Sequence, residues 1–286
     1  MKGRMWKMIL LGITGLWLAG CSKGNEPVVE DRVRLKSVTD RSDVTFIQVY
    51  TYDANNRVTL IQSYFDKSGP FPPFSPDQAN RMVYQYDGQG RLTQVDYLDY
   101  QSKQKVGESR IRYRYDGTGK VVTATYVSMG VDGTLTDTRQ LVYELDAQNR
   151  PVKKTEYKLP VAGQTGLVTT YTYTDGNLSV IDAPVYTASD WVETGRFRTT
   201  YTYGTQRSPY YGLPAATIWG DQMAFRYSQN TVTQQTTRNY DKAGVPVTAA
   251  VTKTYAVTAR ADGRVSQWTE GTGSSAFGLF YDYETY

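Results

Sequence analysis

Tyr84-Gln85-Tyr86-Asp87-Gly88-Gln89-Gly90-Arg91-Leu92 decides the fold, because the chain repeats this pattern four times without a gap. The other copies are Tyr50-Thr51-Tyr52-Asp53-Ala54-Asn55-Asn56-Arg57-Val58, Tyr113-Arg114-Tyr115-Asp116-Gly117-Thr118-Gly119-Lys120-Val121 and Tyr143-Glu144-Leu145-Asp146-Ala147-Gln148-Asn149-Arg150-Pro151. Their aspartates lie 34, 29 and 30 residues apart. The third residue after each Asp is Asn56, Gly90, Gly119 or Asn149, and Gly and Asn enter the left-handed backbone region at least cost. A type I turn closed by a left-handed bulge residue needs such a residue there. An Asp in first position can accept bonds from the backbone N–H groups that follow. Each copy therefore reads as one strand end, a turn and the start of an antiparallel partner. The structural turn residues are Asp53, Asn56, Asp87, Gly90, Asp116, Gly119, Asp146 and Asn149.

Degenerate copies follow at Tyr171 to Asn177, Tyr201 to Gly204 and Phe225 to Asn230, and shorter ones at Tyr240 to Gly244 and Ala259 to Arg264. Asp175-Gly176 suits a two-residue type I′ hairpin instead. The flanks alternate: Ile111, Tyr113 and Tyr115 oppose Arg112 and Arg114, and Thr155, Tyr157 and Leu159 oppose Lys154, Glu156 and Lys158. Period two without a sustained helical period predicts an all-β protein. Up-and-down antiparallel hairpin repeats, roughly 16 to 18 strands, would curl into a barrel or a strongly coiled sheet. The tyrosine face would turn inward and stack in cross-strand ladders. A membrane-spanning barrel is disfavoured, because its lipid face should be rich in Leu, Val and Phe rather than Tyr and Thr.

Composition narrows the chemistry. The 286 residues include 25 Tyr, one Cys and no His. Imidazole catalysis, His metal ligands, internal disulfides and thiolate zinc clusters are therefore excluded. No cofactor motif occurs. The repeated aspartates invite a carboxylate or calcium reading, but a residue that every copy of a turn demands is a turn residue, and no loop has EF-hand acidity.

The N-terminus reads as an address. Lys2, Arg4 and Lys7 precede an apolar run from Met8 to Leu18, too short to span a bilayer. Leu18-Ala19-Gly20-Cys21 resembles the lipobox of bacterial lipoproteins, which implies cleavage before Cys21, lipidation of its thiol and stable membrane anchoring. Residues 1–20 would be a signal peptide, 21–40 the lipidated Cys and a tether, and 41–286 one β domain. Those first three basic residues belong to a total of 32, against 28 acidic residues, so the remainder is near neutral. No basic patch suggests nucleic acid. An outer-membrane location is expected; Ser22, Lys23 and Glu26 leave the periplasmic or surface face open.

The turn copies resemble the YD-repeat (Rhs-like) family, and more closely the lipid-anchored Bacteroidota proteins of unknown function with a porin-like fold. The resemblance spans about residues 45 to 286 and is strongest in the first four units. It implies a fold and supplies no catalytic residue. Long YD-repeat proteins wind such hairpins into a toxin-enclosing shell, and this chain is too short for that role.

Departures from the repeat carry the functional expectation. Residues 66–80 hold Phe71 and Phe74, residues 183–195 hold Tyr186 and Trp191, and residues 204–214 hold Tyr210 and Tyr211. Loops of such length are disproportionately functional. These aromatics are candidates to stack on a sugar or grip an envelope protein, or else they plug the barrel ends. The expectation is a lipid-anchored, non-enzymatic binding or scaffolding module. Two alternatives are a polysaccharide hydrolase using a carboxylate pair and a purely structural envelope component.

Overall fold

The computed structural model describes residues 33–40, 46–65, 80–101, 104–130, 133–161, 165–187, 191–211, 213, 227–271 and 277–286. Within them run sixteen strands: β1 Val33–Asp40, β2 Phe46–Tyr52, β3 Val58–Phe65, β4 Asn80–Tyr86, β5 Leu92–Gln101, β6 Gln104–Tyr115, β7 Val121–Met129 and β8 Leu135–Leu145 form the first half. The second half is β9 Pro151–Lys158, β10 Leu167–Thr174, β11 Asn177–Thr187, β12 Val192–Arg207, β13 Asn230–Asp241, β14 Val251–Ala259, β15 Val265–Glu270 and β16 Phe277–Thr285. Each strand pairs antiparallel with its sequence neighbours, and β1 pairs with β16, so the sheet closes into an up-and-down barrel. Closure leaves no exposed sheet edge. No helix among the described residues is long and apolar enough to cross a membrane.

The turns explain the order. Asn56, Gly90, Gly119 and Asn149 have φ of 59°, 80°, 68° and 60°. Asn56 N donates to Asp53 O at 3.0 Å and Asp53 N to Arg57 O at 2.9 Å, and the Asp87 and Asp146 turns repeat both bonds. The Asp53 carboxylate accepts from Asn55 N and Arg57 N at 2.9 Å and from Arg57 Nε at 2.7 Å. Backbone and side-chain bonds from Arg57 hold the Asp53 carboxyl below its ordinary 3.8. Asp175 and Gly176 both have positive φ, 49° and 76°, as a type I′ hairpin requires.

A second contact links each hairpin to the next. The guanidinium of Arg57 lies over the ring of Tyr86 at 4.6 Å, Arg91 over Tyr115 at 4.8 Å and Arg150 over Tyr173 at 4.1 Å. The hydroxyls of those tyrosines donate to Val58 O, Leu92 O and Pro151 O at 2.7, 3.0 and 3.0 Å. Asp thus orients Arg, Arg stacks on the next repeat's tyrosine, and that tyrosine returns a bond to the strand leaving the first turn. The link from the third unit to the fourth lacks both partners: Leu145 stands in the tyrosine position and Lys120 in the arginine position. Lys120 Nζ instead donates to Asp146 O and Asn149 Oδ1 at 2.9 and 2.8 Å.

Several expectations change. The barrel begins at Val33 rather than residue 41, because Val33–Asp40 is the strand that closes it. A bulge between Leu35 and Ser37 interrupts its alternation and disguised it as tether. Tyr201 to Gly204 is not a turn, since β12 runs through it to Arg207, and Tyr227 to Asn230 leads into β13. The turn near Asp262 begins at Arg260, whose carbonyl accepts from Gly263 N at 2.9 Å. The Asp241 turn sits at the opposite end of the barrel from the other copies, because β13 runs away from them. Adjacent-strand tyrosine ladders are absent from the turn repeats: Tyr50 faces Ile61, Tyr84 faces Val95 and Tyr113 faces Ala124. A two-strand repeat puts its tyrosines on every second strand, opposite aliphatic residues.

The faces on β9 are also reversed. Its register with β8 sets Lys154 opposite Tyr143 and Glu156 opposite Leu141, so these charges face the lumen and Thr155 and Tyr157 face outward. The Asp146 turn sets that register, and turn geometry overrides the hydrophobic phase of a short strand.

The outer wall is polar. Arg110 pairs with Asp96 at 2.5 Å, Arg112 with Asp137 at 2.5 Å, Lys153 with Glu144 at 2.7 Å and Arg198 with Asp182 at 2.9 Å. Outward Val142, Val168 and Val180 face threonines across the strands, and Leu60 and Val83 form one apolar pair flanked by Thr51 and Asp96, so these residues form no continuous apolar belt, in contrast to a lipid-facing barrel.

Two stability experiments follow. Gly119→Ala should cost about 1 kcal/mol through left-handed strain alone, because an added Cβ meets nothing within 4 Å. Gly117→Ala, equally unobstructed and without positive φ, should cost under about 0.5 kcal/mol; urea unfolding compares them. A double-mutant cycle of Arg150→Met and Tyr173→Leu should give a coupling of about 0.5–1 kcal/mol. In the same assay, Lys120→Arg with Leu145→Tyr should be more stable than either single variant.

Candidate functional site

The lumen differs along its axis. Toward the repeat turns it is packed with aromatic and aliphatic side chains: Tyr50, Tyr84, Tyr113, Tyr143, Tyr171 and Tyr201 are all buried, together with Leu178, Val232 and Val265. Described residues between β12 and β13 add to this packing. Ser228 is fully buried, accepts from Leu178 N at 3.0 Å and donates to the Tyr203 hydroxyl at 2.8 Å. Asn230 N donates to Asn177 Oδ1 at 2.9 Å. Tyr210 meets the buried ring of Tyr281 edge-on at 5.8 Å. A residual cavity of about 330 Å³ remains here between Tyr113, Tyr143 and Tyr227.

Toward the other end the inward positions become polar and charged. Arg139 is opposite Tyr126 on β7 and Lys158 on β9, which places all three on the lumen face. Its Nη1 donates to Glu156 Oε1 at 3.0 Å, and Lys154 Nζ donates to Glu156 Oε2 at 3.3 Å. The Glu156 side chain is only 9% exposed, so these two cations compensate a carboxylate that would otherwise be costly to bury. The Arg139 guanidinium stacks over Tyr126 at 4.2 Å. Burial pushes the Tyr126 hydroxyl upward, and Arg139 opposes that shift. Across the lumen, Lys253 and Glu270 form a second pair at 2.8 Å.

Trp191 covers this end. It has a φ of 54°, a conformation disfavoured for a bulky side chain, and its N–H closes the loop onto Thr187 O at 2.9 Å. Its ring packs on Tyr186 at 5.3 Å, tilted by 31°. Burial raises the Tyr186 hydroxyl; Glu156 adds to that shift and Arg139 opposes it, so the β11–β12 loop and the β8–β9 charges share one space. A cavity of about 420 Å³ lies beneath, lined by Tyr97, Ile111, Tyr126, Arg139, Lys158 and Trp191. Its size suits a small-molecule site, with aromatic walls and a few polar groups to orient a ligand.

The sequence candidates therefore divide. Trp191 and Tyr186 lie together at the charged end. Tyr210 and Tyr211 lie at the turn end, where Tyr210 packs into the core and Arg207 covers the Tyr211 ring at 5.2 Å. Phe71, Phe74 and Cys21 fall outside the described residues. Sequence reasoning missed Arg139, Lys154, Glu156 and Lys158. One signal was present: Arg139 is in phase with Leu141 and Tyr143, and a cation on the apolar phase of a strand points into the lumen. Among the described residues, no group of three or more acids is placed to hold a metal ion.

Among solved structures, the chain is similar to a porin-like protein from Bacteroides uniformis, with a TM-score of 0.51 and 14% identity over 87% of this chain and 96% of that one. A porin-like protein from Bacteroides vulgatus matches at 12% identity and a TM-score of 0.43, over 88% and 99%. The first likeness shows a shared barrel fold. No family model and no curated protein match the sequence.

The packed end has a measurable signature. Burial raises the hydroxyls of Tyr113, Tyr143 and Tyr281 well above their ordinary 10.0. A raised folded value means that the unfolded chain releases these protons first, so the stability they contribute is complete below pH 10 and lost as pH rises beyond it. Tyrosinate absorbance should therefore rise in two phases, the second coinciding with loss of sheet circular dichroism. A single phase near pH 10 with the sheet intact would contradict this packing.

Proposed function

We propose that the protein is a non-enzymatic binding module of the cell envelope that takes a saccharide at the charged end of its barrel. One observation carries this reading: Trp191, held at a left-handed φ and packed on Tyr186, lines a cavity whose other walls carry aromatic rings and the cations Arg139 and Lys158, the first of them braced by the buried Glu156. Backbone strain persists where the surroundings over-determine it, and such positions cluster at ligand sites. Sugar rings present C–H faces to aromatic rings and hydroxyls to charged side chains, which matches this mixture.

The packed and plugged turn end supports binding over passage through the lumen. Binding is also favoured over hydrolysis. Both oxygens of Glu156 are engaged by cations, and Glu270 is paired with Lys253, so each carboxylate serves as a support for its neighbours. Attachment through lipid on Cys21, at the outer membrane, remains part of this proposal, and the polar barrel wall is compatible with a fold held beside a bilayer rather than within it.

The test is a glycan panel probed with the full-length lipidated protein in detergent. The protein should retain at least one glycan class. Trp191→Ala should weaken that binding about tenfold or more, as for an aromatic anchor at the centre of a contact, without altering sheet circular dichroism. Tyr210→Ala should lower stability and leave affinity unchanged. Retention of no glycan, or equal affinity in the Trp191 variant, would overturn the reading.

A further inference from the structure

Resting on the binding role proposed above, we infer that the charged cup selects acidic saccharides, with a sugar carboxylate held between Arg139 and Lys158 and the sugar ring against Trp191. Three cations, Arg139, Lys154 and Lys158, share the lumen face of adjoining strands with one carboxylate, Glu156, which pairs with the first two. Arg110 on the neighbouring strand is turned to the outer wall, where Asp96 and Glu108 match it. The cup therefore holds positive charge beyond its own internal pairing.

The two outer cations have capacity to spare. Arg139 carries five N–H donors in a planar fork, and Glu156 and Tyr126 take up only part of that set. Lys158 is exposed, lines the cavity and forms no ion pair or hydrogen bond among the described residues. Glu156 and the Tyr126 ring lock the guanidinium in place, so little side-chain freedom remains to be lost when a ligand binds. A planar, immobilised fork beside a free ammonium matches a carboxylate, which it can hold by paired charge-assisted bonds. Trp191, backed by the Tyr186 ring, supplies an aromatic wall to the same cavity. An anionic group at one edge of a ring with an apolar face is the description of a hexuronate.

The experiment uses the full-length protein in detergent and isothermal titration calorimetry with oligosaccharides of galacturonate, glucuronate and mannuronate, each beside its carboxyl-reduced neutral counterpart. At least one acidic oligomer should bind tenfold or more tightly than its reduced form, and that preference should shrink as salt is raised. Lys158→Gln breaks no side-chain contact among the described residues; it should remove most of the preference, with affinity for the acidic form falling far more than affinity for the neutral form. Trp191→Ala should weaken both forms together. If acidic and neutral forms bind equally, or Lys158→Gln has no effect, the acidic selectivity is wrong and the binding role stands. If no member of either series binds while the glycan panel retains another class, the acidic inference alone falls. If the panel also retains nothing, both fall.

Discussion

In three of the four turn copies the aspartate fixes the guanidinium of the arginine four residues later, and that guanidinium holds the tyrosine of the next hairpin. The rest of the barrel depends on this contact. A two-strand repeat is too small to bury its own apolar face, and stability comes from docking successive copies. Here the docking runs along one rim, where Asp53–Arg57–Tyr86, Asp87–Arg91–Tyr115 and Asp146–Arg150–Tyr173 repeat one geometry. The exception supports the account: where the tyrosine becomes Leu145, the preceding arginine becomes Lys120, which bonds to the next turn's backbone instead.

A rim built this way leaves the other end free to differ. Tyrosines packed behind the turns fill a lumen that sixteen strands would otherwise leave wide. The β12–β13 connection completes the filling through Ser228 and Tyr210. Polar groups of the lumen accumulate away from the turns, where Arg139 and Lys154 pair with Glu156, and Arg139 and Lys158 line a cavity with Trp191. The barrel is polar outside and apolar inside over most of its length, the reverse of a wall that faces lipid. Its interior consequently behaves as a core at one end and as a shallow binding cup at the other.

Legibility followed locality. Asn56, Gly90, Gly119 and Asn149 could be placed from nine-residue windows, because a left-handed backbone requirement acts within the turn itself. Inward tyrosines followed from alternation. What could not be read was register: by alternation alone Glu156 and Lys154 belong to the outer face of β9, yet they lie on the inner one, because a bulge after the Asp146 turn shifts the strand's phase. The same limit hid Val33–Asp40, whose bulge breaks its alternation, and grouped Tyr210 with Trp191 although the barrel sets them at opposite ends.

By itself the sequence determined that this chain is a series of up-and-down hairpins with an aromatic lining, since turn chemistry and period two are properties of neighbours along the chain. Only the tertiary structure decided that the series closes, with Val33–Asp40 meeting Phe277–Thr285, and that Arg139, Lys158 and Trp191 share one cavity. The reason is that closure and register bring together residues from strands separated in the chain, and no local rule of spacing encodes which of them will face the same space.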